Sequence, residues 1–485
     1  MFFWQTIYRN WPLISSILFV AHVLLSVLTI CWVLALKREP MSAMAWCLTV
    51  LLMPFLGPFL FYVFGYQRVY RPLKRKQQHK RAFRRHRIRK KSPEQTGVDH
   101  LPAGWTAMAR LARQLDAFAP TFGNKVEFYH EGGPAFAAKL DAIRAARHHI
   151  HLEYFIFQPD ESGHMFLNAL CEKARQGVQV RLVYDAMGSH RMRNRFLQPL
   201  RQAGGKCQAF FPLNLFRRHT QVNLRNHRKI LVVDGLIGFT GGLNIGDEYL
   251  GKVPRFGYWR DAHLRVEGPA VSDLQRIFVE DWDFAAGELL KGLEYFPKCR
   301  RGGTTPIQVI QSGPDQQLKS IREVYFAAIL RARKRLWIAS PYFVPDAGIL
   351  DALTLAGHTG VDVRLLGLQH PDKWLPFLAG RYYWTDMLEA GVRVYQYAKG
   401  MMHSKLVLVD GQWASIGTAN LDNRSLHLNF EVNCLLYDAA AVAQLEAAFL
   451  RDLEDSQQLD PETYRKRPLS TRLPENLCRL LSPIL

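Results

Sequence analysis

The sequence predicts an α/β protein, with two tandem copies of one βαβ-type domain forming a pseudo-dimer behind an N-terminal transmembrane helical hairpin. The first observation behind this is an internal repeat. Asn226-His227-Arg228-Lys229-Ile230-Leu231-Val232-Val233-Asp234-Gly235 has a counterpart in Met402-His403-Ser404-Lys405-Leu406-Val407-Leu408-Val409-Asp410-Gly411. Each reads His-x-Lys, four residues, Asp-Gly, and the same offset of 176 residues carries Gly241 onto Gly417 and Asn244 onto Asn420. The second observation is that strand-like and helix-like segments alternate in the same order around both copies. The third is compositional: a long apolar N-terminus runs straight into a block of basic residues.

Taken in order, Trp11 to Leu36 is an almost uninterrupted apolar run, long enough to span a bilayer. A signal peptide is the alternative, but the run exceeds the usual h-region and lacks a small-x-small cleavage site. After Lys37-Arg38-Glu39-Pro40, residues 41–66 are apolar again, with Pro54, Gly57 and Pro58 inside; this leg is a kinked span or a re-entrant segment. Residues 1–66 thus read as a membrane hairpin. The linker at 67–105 follows, and its stretch 68–91 holds 13 Lys/Arg and no acid, more than half of the net charge of +21. Directly after a membrane segment, that block reads as a cytoplasmic anchor attracted to anionic lipid. A solvated linker and a nucleic-acid patch are the competing readings, the latter weakened by the adjoining spans.

Domain 1 is expected over 106–300. A helix carrying Phe136 to Arg147 leads to strand His151–Phe157, a helix around Phe166 to Arg175 to strand Val178–Tyr184, and a helix at 192–203 to a strand near Cys207–Phe211. Domain 2, over 301–485, repeats the order: strand Leu336 to Phe343, helical Ala352–Leu355, strand Val361 to Leu366, helix 380–389, strand Val392 to Tyr395. Such alternation implies βαβ units in a mixed, helix-covered sheet. Seven scattered cysteines, odd in number and without a Cys-x-x-Cys pair, argue against a disulfide framework and against zinc.

Within each motif, an apolar β-rich run, Asp-Gly and a second apolar run signal a hairpin. In a strand His and Lys at i and i+2 share a face. The Asp falls at the turn and is a candidate for shaping it. If the two hairpins face each other, His227, Lys229, Asn244 and His403, Lys405, Asn420 meet in one site. Two lysines and two asparagines suit the oxygens of a phosphodiester; one histidine can attack phosphorus while the other protonates the leaving alkoxide. The lysines supply the positive charge, so neither metal nor cofactor is required.

This pattern resembles the phospholipase D superfamily, whose members carry paired His-x-Lys-x4-Asp motifs, and within it is most similar to bacterial cardiolipin synthases. Asn226-His227-Arg228-Lys229, Gly246-Asp247-Glu248-Tyr249, Trp259-Arg260-Asp261, Ser340-Pro341-Tyr342-Phe343-Val344-Pro345 and Gly417-Thr418-Ala419-Asn420-Leu421-Asp422 carry the likeness. The resemblance implies two phospholipase D-like domains with the site at their seam. It also implies catalytic roles for His227, Lys229, Asp234, His403, Lys405 and Asp410. A carboxylate hydrogen-bonded to a motif histidine is implied for Glu431, 11 residues after Asn420; the first-half candidate is Asp261, 17 after Asn244, the excess being absorbed by the loop from Gly251 to Gly257.

The implied activity is a membrane-bound phosphatidyltransferase of the bacterial inner membrane. It joins two phosphatidylglycerol molecules into cardiolipin and glycerol through a phosphohistidine, with His227 the favoured nucleophile. A phospholipase D hydrolase shares the same site, a nuclease is disfavoured by the membrane segments, and a non-catalytic lipid scaffold by two intact motifs. The C-terminal Leu477, Leu480 and Leu481 among Arg472 and Arg479 suggest an amphipathic helix, lying on a membrane or packed on the domain.

Overall fold

A computed structural model describes residues 10–36, 40–65, 76–77, 97–102, 104–212, 223–299, 301–316 and 318–485. The chain divides into two units, Met1–Lys74 and Arg75–Leu485. Most of the basic block at 68–91 lies outside the described residues.

In the first unit, α1 (Trp11–Leu36) is a single helix of 26 residues. At about 1.5 Å per residue it is about 39 Å long, enough to cross the roughly 30 Å hydrocarbon layer with some tilt. The second leg differs from a continuous span. Helix α2 (Pro40–Leu52) has 13 residues, about 20 Å at the same rise and short of that layer. Pro54 cannot continue the ladder, and Phe55 takes a φ of 58°. Helical turns resume over Leu56–Leu60 and Phe61–Gly65. A Cβ on Gly57 would lie 2.3 Å from the Thr49 carbonyl, so only glycine lets the chain fold back this closely. Trp32 and Trp46 meet the Phe61 ring edge-on at 5.7 and 5.4 Å.

In the second unit, the described residues of each half lay down seven principal strands in one order. The first half has β1 (Thr121–Glu131), β2 (His149–Tyr154), β3 (Gln179–Asp185), β4 (Lys206–Phe210), β5 (Ile230–Val233), β6 (Ile237–Gly241) and β7 (Tyr258–Glu267). The second has β8 (Thr305–Ser312), β9 (Arg335–Ala339), β10 (Asp362–Leu368), β11 (Arg393–Tyr397), β12 (Leu406–Val409), β13 (Trp413–Gly417) and β14 (Glu431–Leu436). Spatially, the first half runs 4-3-2-5-6-7-1 and the second, shifted by seven labels, runs identically. β2, β3 and β4 are parallel, as βαβ crossovers demand, and the remaining neighbours antiparallel.

The halves join where β1 lies antiparallel to β8, Thr121 opposite Ile307. Buried Asn124 secures the joint: its amide donates to the Thr305 carbonyl at 3.1 Å and its oxygen accepts from Ala270 N–H at 2.9 Å. Helices cover the sheet: α3 (Gly132–Ala145), α4 (Glu161–Arg175), α5 (Asn194–Gln202) and α6 (Val271–Ala286), then α7 (Ser320–Arg331), α8 (Ala347–His358), α9 (Trp374–Glu389) and α10 (Ala439–Glu454). A further helix, α11 (Leu469–Arg479), packs against α9.

Candidate active site

The motif hairpins form as the sequence predicts. Val233 closes a turn by accepting from Leu236 N–H at 3.0 Å, with Asp234 and Gly235 at φ 53° and 68°. Asp410 and Gly411 repeat it at 52° and 69°, the left-handed values that Asp-Gly tolerates best. One expectation is corrected. His227, Lys229, His403 and Lys405 precede β5 and β12 rather than lying on them. Each lead-in pairs instead with the other half. The stretch 400–402 runs parallel to β7, and Asn226 bridges to Phe430 just before β14. His227 N–H donates to the Phe430 carbonyl at 3.0 Å and His403 N–H to the Arg260 carbonyl at 2.7 Å.

The side chains cross in the same sense. His227 Nδ1 is 3.0 Å from both carboxylate oxygens of Glu431, in the opposite half. His403 Nδ1 is 2.8 Å from Asp261 Oδ2, again across the seam. The structure therefore brings His227, His403, Glu431 and Asp261 together, and leaves each histidine its Nε2 for a substrate. Asp261 and Glu431 occupy equivalent positions despite their unequal sequence spacing. His263, two residues after Asp261, pairs with Gly241, and Asn433, two after Glu431, pairs with Gly417. The extra first-half residues form the turn Asp247–Leu250 and the loop before β7.

The lysines lie under the histidines. Lys229 Nζ donates to the His227 carbonyl at 2.8 Å, and Lys405 Nζ to the His403 carbonyl. Burial disfavours their charge, pushing Lys229 down to about 7 and Lys405 down to about 8. Burial first, then the neighbouring lysines, hold His227 well below the usual imidazole value. His403 is pushed down to about 4 by burial and Lys405, with Asp261 opposing the shift. The carboxylates part ways. Burial lifts Glu431 to about 7, against Lys229 and hydrogen bonds from Thr418 and Asn429. Burial also penalises the Asp261 charge, but His403 and Lys405 outweigh it and leave Asp261 below its ordinary value.

Asp234 and Asp410 stand at the far ends of β5 and β12 from the histidines. Asp234 accepts from the backbone N–H groups of Arg147, His148 and His149 at 2.8, 2.7 and 2.9 Å. Asp410 does the same for Arg333, Lys334 and Arg335 at 2.9, 2.8 and 2.9 Å. This geometry departs from the catalytic role implied by resemblance: each Asp ties its hairpin to the start of β2 or β9. The asparagines are also engaged with protein. Asn244 accepts from Ile156 N–H at 3.1 Å and donates to Tyr249 Oη at 2.8 Å. Asn420 Nδ2 donates to Asp422 at 3.2 Å.

Sequence reasoning missed three contributors. Thr418 donates to Glu431 Oε2 at 2.6 Å, whereas Gly242 stands at the equivalent first-half position. A Cβ there would lie 1.9 Å from Asp261 Oδ1, so glycine leaves the room that the shorter carboxylate occupies. Phe155 meets the His227 ring edge-on at 4.8 Å, and the Trp259 ring lies tilted 5.2 Å from His403. Thr418 and Trp259 lie inside phrases that carried the resemblance; Phe155 had no signal beyond a strand-like run.

Comparison with known proteins agrees with this geometry. A family model described as Cardiolipin synthase, PLD-like domain matches residues 140–282 and again 325–453, and one described as Phospholipase_D-nuclease N-terminal matches 24–65. The Cardiolipin synthase of Geobacillus sp. strain WCH70 is 42% identical over 465 residues, 95% of this chain and 92% of that protein. That of Geobacillus thermodenitrificans strain NG80-2 is 43% identical over 467 residues, with the same coverage. Among solved structures, phosphatidylserine synthase of Haemophilus influenzae Rd KW20 superposes with a TM-score of 0.57 at 18% identity, over 78% of this chain and all of that one, and so shares the fold. A duplicated His-x-Lys site on this fold, with relatives matched over nearly their whole length, shows that the chain belongs to the cardiolipin synthases, phosphatidyltransferases of the phospholipase D superfamily.

Proposed function

We propose that the chain joins two phosphatidylglycerol molecules into cardiolipin, releasing glycerol, with His227 as nucleophile and His403 as acid and base. The crossed histidine–carboxylate pairs carry this reading: each fixes Nδ1 and so commits Nε2 to the substrate. Asp261, held ionised, opposes the burial that pushes His403 down to about 4, and the bound phosphodiester anion adds to it, so that His403 carries the donor proton once substrate is in place. Burial and the neighbouring lysines keep His227 neutral at rest, as a nucleophile must be.

Nε2 of His227 attacks phosphorus, and the glycerol oxygen departs with a proton from His403. His403 then takes the proton of the second lipid's hydroxyl, whose oxygen attacks phosphorus and breaks the P–N bond, freeing His227. Lys229 and Lys405 balance the charge on the non-bridging oxygens; the bound anion restores the cationic forms that burial disfavours. Asp234 and Asp410 brace the far ends of β5 and β12.

The same reading makes the protein a multi-pass resident of the bacterial inner membrane with its catalytic unit on the cytoplasmic side, supported by the apolar hairpin and the basic residues of 68–91. The test uses purified full-length protein with labelled phosphatidylglycerol as sole lipid. Cardiolipin and glycerol should appear one for one, and added glycerol should drive the reaction backwards. His227→Ala and His403→Ala should each lower the rate on the order of 10³-fold or more. Phosphatidic acid as the main product, insensitive to glycerol, would replace this reading with hydrolysis.

A further inference from the structure

The C-terminal helix α11 is mounted with its polar side inward. Glu475, only 2% exposed, accepts from Arg381 Nε and Arg467 Nη1, both at 2.7 Å. Arg479 Nη1 donates to the Tyr382 hydroxyl at 2.9 Å, and Thr385, Asp386, Arg472 and Asn476 line a polar cavity in the same seam. At 3.6 residues per turn, Leu469, Leu473, Leu477, Leu480 and Leu481 fall on the opposite side. They are 42–71% exposed. Burying a carboxylate while holding five leucines outward is the reverse of how an amphipathic helix packs in water.

α11 is seated on α9, where Tyr383 bonds Ser482 at 2.9 Å and Arg381 bonds Glu475. Trp374 and Leu375 open α9, and both are exposed. The turn just before them faces the active site. Asp372 accepts from the Tyr342 hydroxyl at 2.6 Å and is among the charges acting on Lys405, as Lys373 is on His227. Arg465 and Arg472 are exposed beside the leucine stripe.

We propose that the outer face of α11, with Trp374 and Leu375, is the surface by which the catalytic unit sits on an anionic bilayer, with the mouth of the active site at its edge. The inference rests on the lipid-substrate reading above and adds the docking surface. Leucines enter the acyl boundary, the tryptophan sits at headgroup depth, and the flanking arginines meet lipid phosphates. Substrate then reaches the histidines by lateral movement out of the leaflet.

The test places p-benzoylphenylalanine at position 374, 473 or 477 of the full-length protein in nanodiscs containing phosphatidylglycerol. Position 293 is the control, because Leu293 is 77% exposed but lies near Tyr295, whose backbone packs on Gly235 at the opposite end of the strands. On irradiation, positions 374, 473 and 477 should gain the mass of one lipid and position 293 should not. Absence of lipid adducts at 473 and 477, equal labelling at 293, or an adduct of twice the chain mass, which would make the face a contact with a second copy, overturns the proposal. The adduct forms whatever product the enzyme makes, so this outcome is independent of the reaction assigned above. In a second arm, a Leu473→Gln, Leu477→Gln double variant should lose activity on bilayer phosphatidylglycerol on the order of tenfold and keep it on monomeric dihexanoyl phosphatidylglycerol; parallel loss on both also overturns it.

Discussion

Replacing Glu431 by glutamine changes almost no volume and removes the negative charge that this carboxylate, lifted to about 7 by burial, carries above that pH, 3.0 Å from His227 Nδ1. As His227 attacks phosphorus its ring becomes cationic. Charge centres about 4 Å apart at an effective dielectric of 20 interact by about 4 kcal/mol. Losing that stabilisation in the transition state slows phosphoenzyme formation on the order of 10³-fold. The crossed pairs separate this effect from damage to the acid. With phosphatidyl-p-nitrophenol as donor, the leaving group departs without a proton, so His403 and its partner Asp261 are dispensable for the first step. Asp261→Asn should therefore retain a rapid p-nitrophenolate burst, one per active site, and then stall, whereas Glu431→Gln should lose the burst. Stopped-flow absorbance of detergent-solubilised protein measures both. A normal burst in Glu431→Gln, or its loss in Asp261→Asn alone, would refute the assignment of His227 as nucleophile.

Asp234→Ala removes a carboxylate that accepts three backbone amides; it should cost roughly 3 kcal/mol of stability, read as a lowered thermal midpoint, with activity per folded molecule reduced far less than in His227→Ala. The free enzyme's lysines, pushed down to about 7 and about 8 by burial, lose their protons as pH rises through that range; kcat/KM should fall there. kcat should hold to higher pH because bound phosphodiester raises both values, and Lys229→Arg, which stays charged, should shift the alkaline limb of kcat/KM upward. Excess chelator should leave chemistry intact in detergent micelles; total loss restored only by one divalent ion would overturn the lysine-based account.

Much of the architecture was legible because two periodicities and a repeat pointed the same way. The βαβ alternation located β2 through β4 and β9 through β11 to within a few residues, and Asp-Gly located both hairpin turns. What stayed hidden was long-range. Nothing local to Asn226 or Met402 reveals that each lead-in adds to a strand of the other half, since pairing across the seam is decided by how the duplicated sheets meet. The two carboxylates were found from spacing and resemblance, but which histidine each serves is a property of that meeting. The Asp of each motif shows the converse. Its place at a positive-φ turn was readable, but the reach of its carboxylate to the backbone amides that open β2 or β9 was not. The second apolar leg was readable as apolar, and its break followed from Pro54.

The crossing also bears on how alike the two halves must remain. A homodimer made of one half would present every group twice, and its two histidines would be chemically indistinguishable. A single chain is released from that constraint. Position 242 can be glycine while position 418 is threonine, and the carboxylates can differ by a methylene. Twofold symmetry, kept by the seven-strand order, survives where it builds the scaffold and is broken where protons are assigned. On the assignment proposed above, duplication followed by fusion gives the reaction a direction, attack from one side and proton donation from the other, a starting point on which a symmetric site would have no means of deciding.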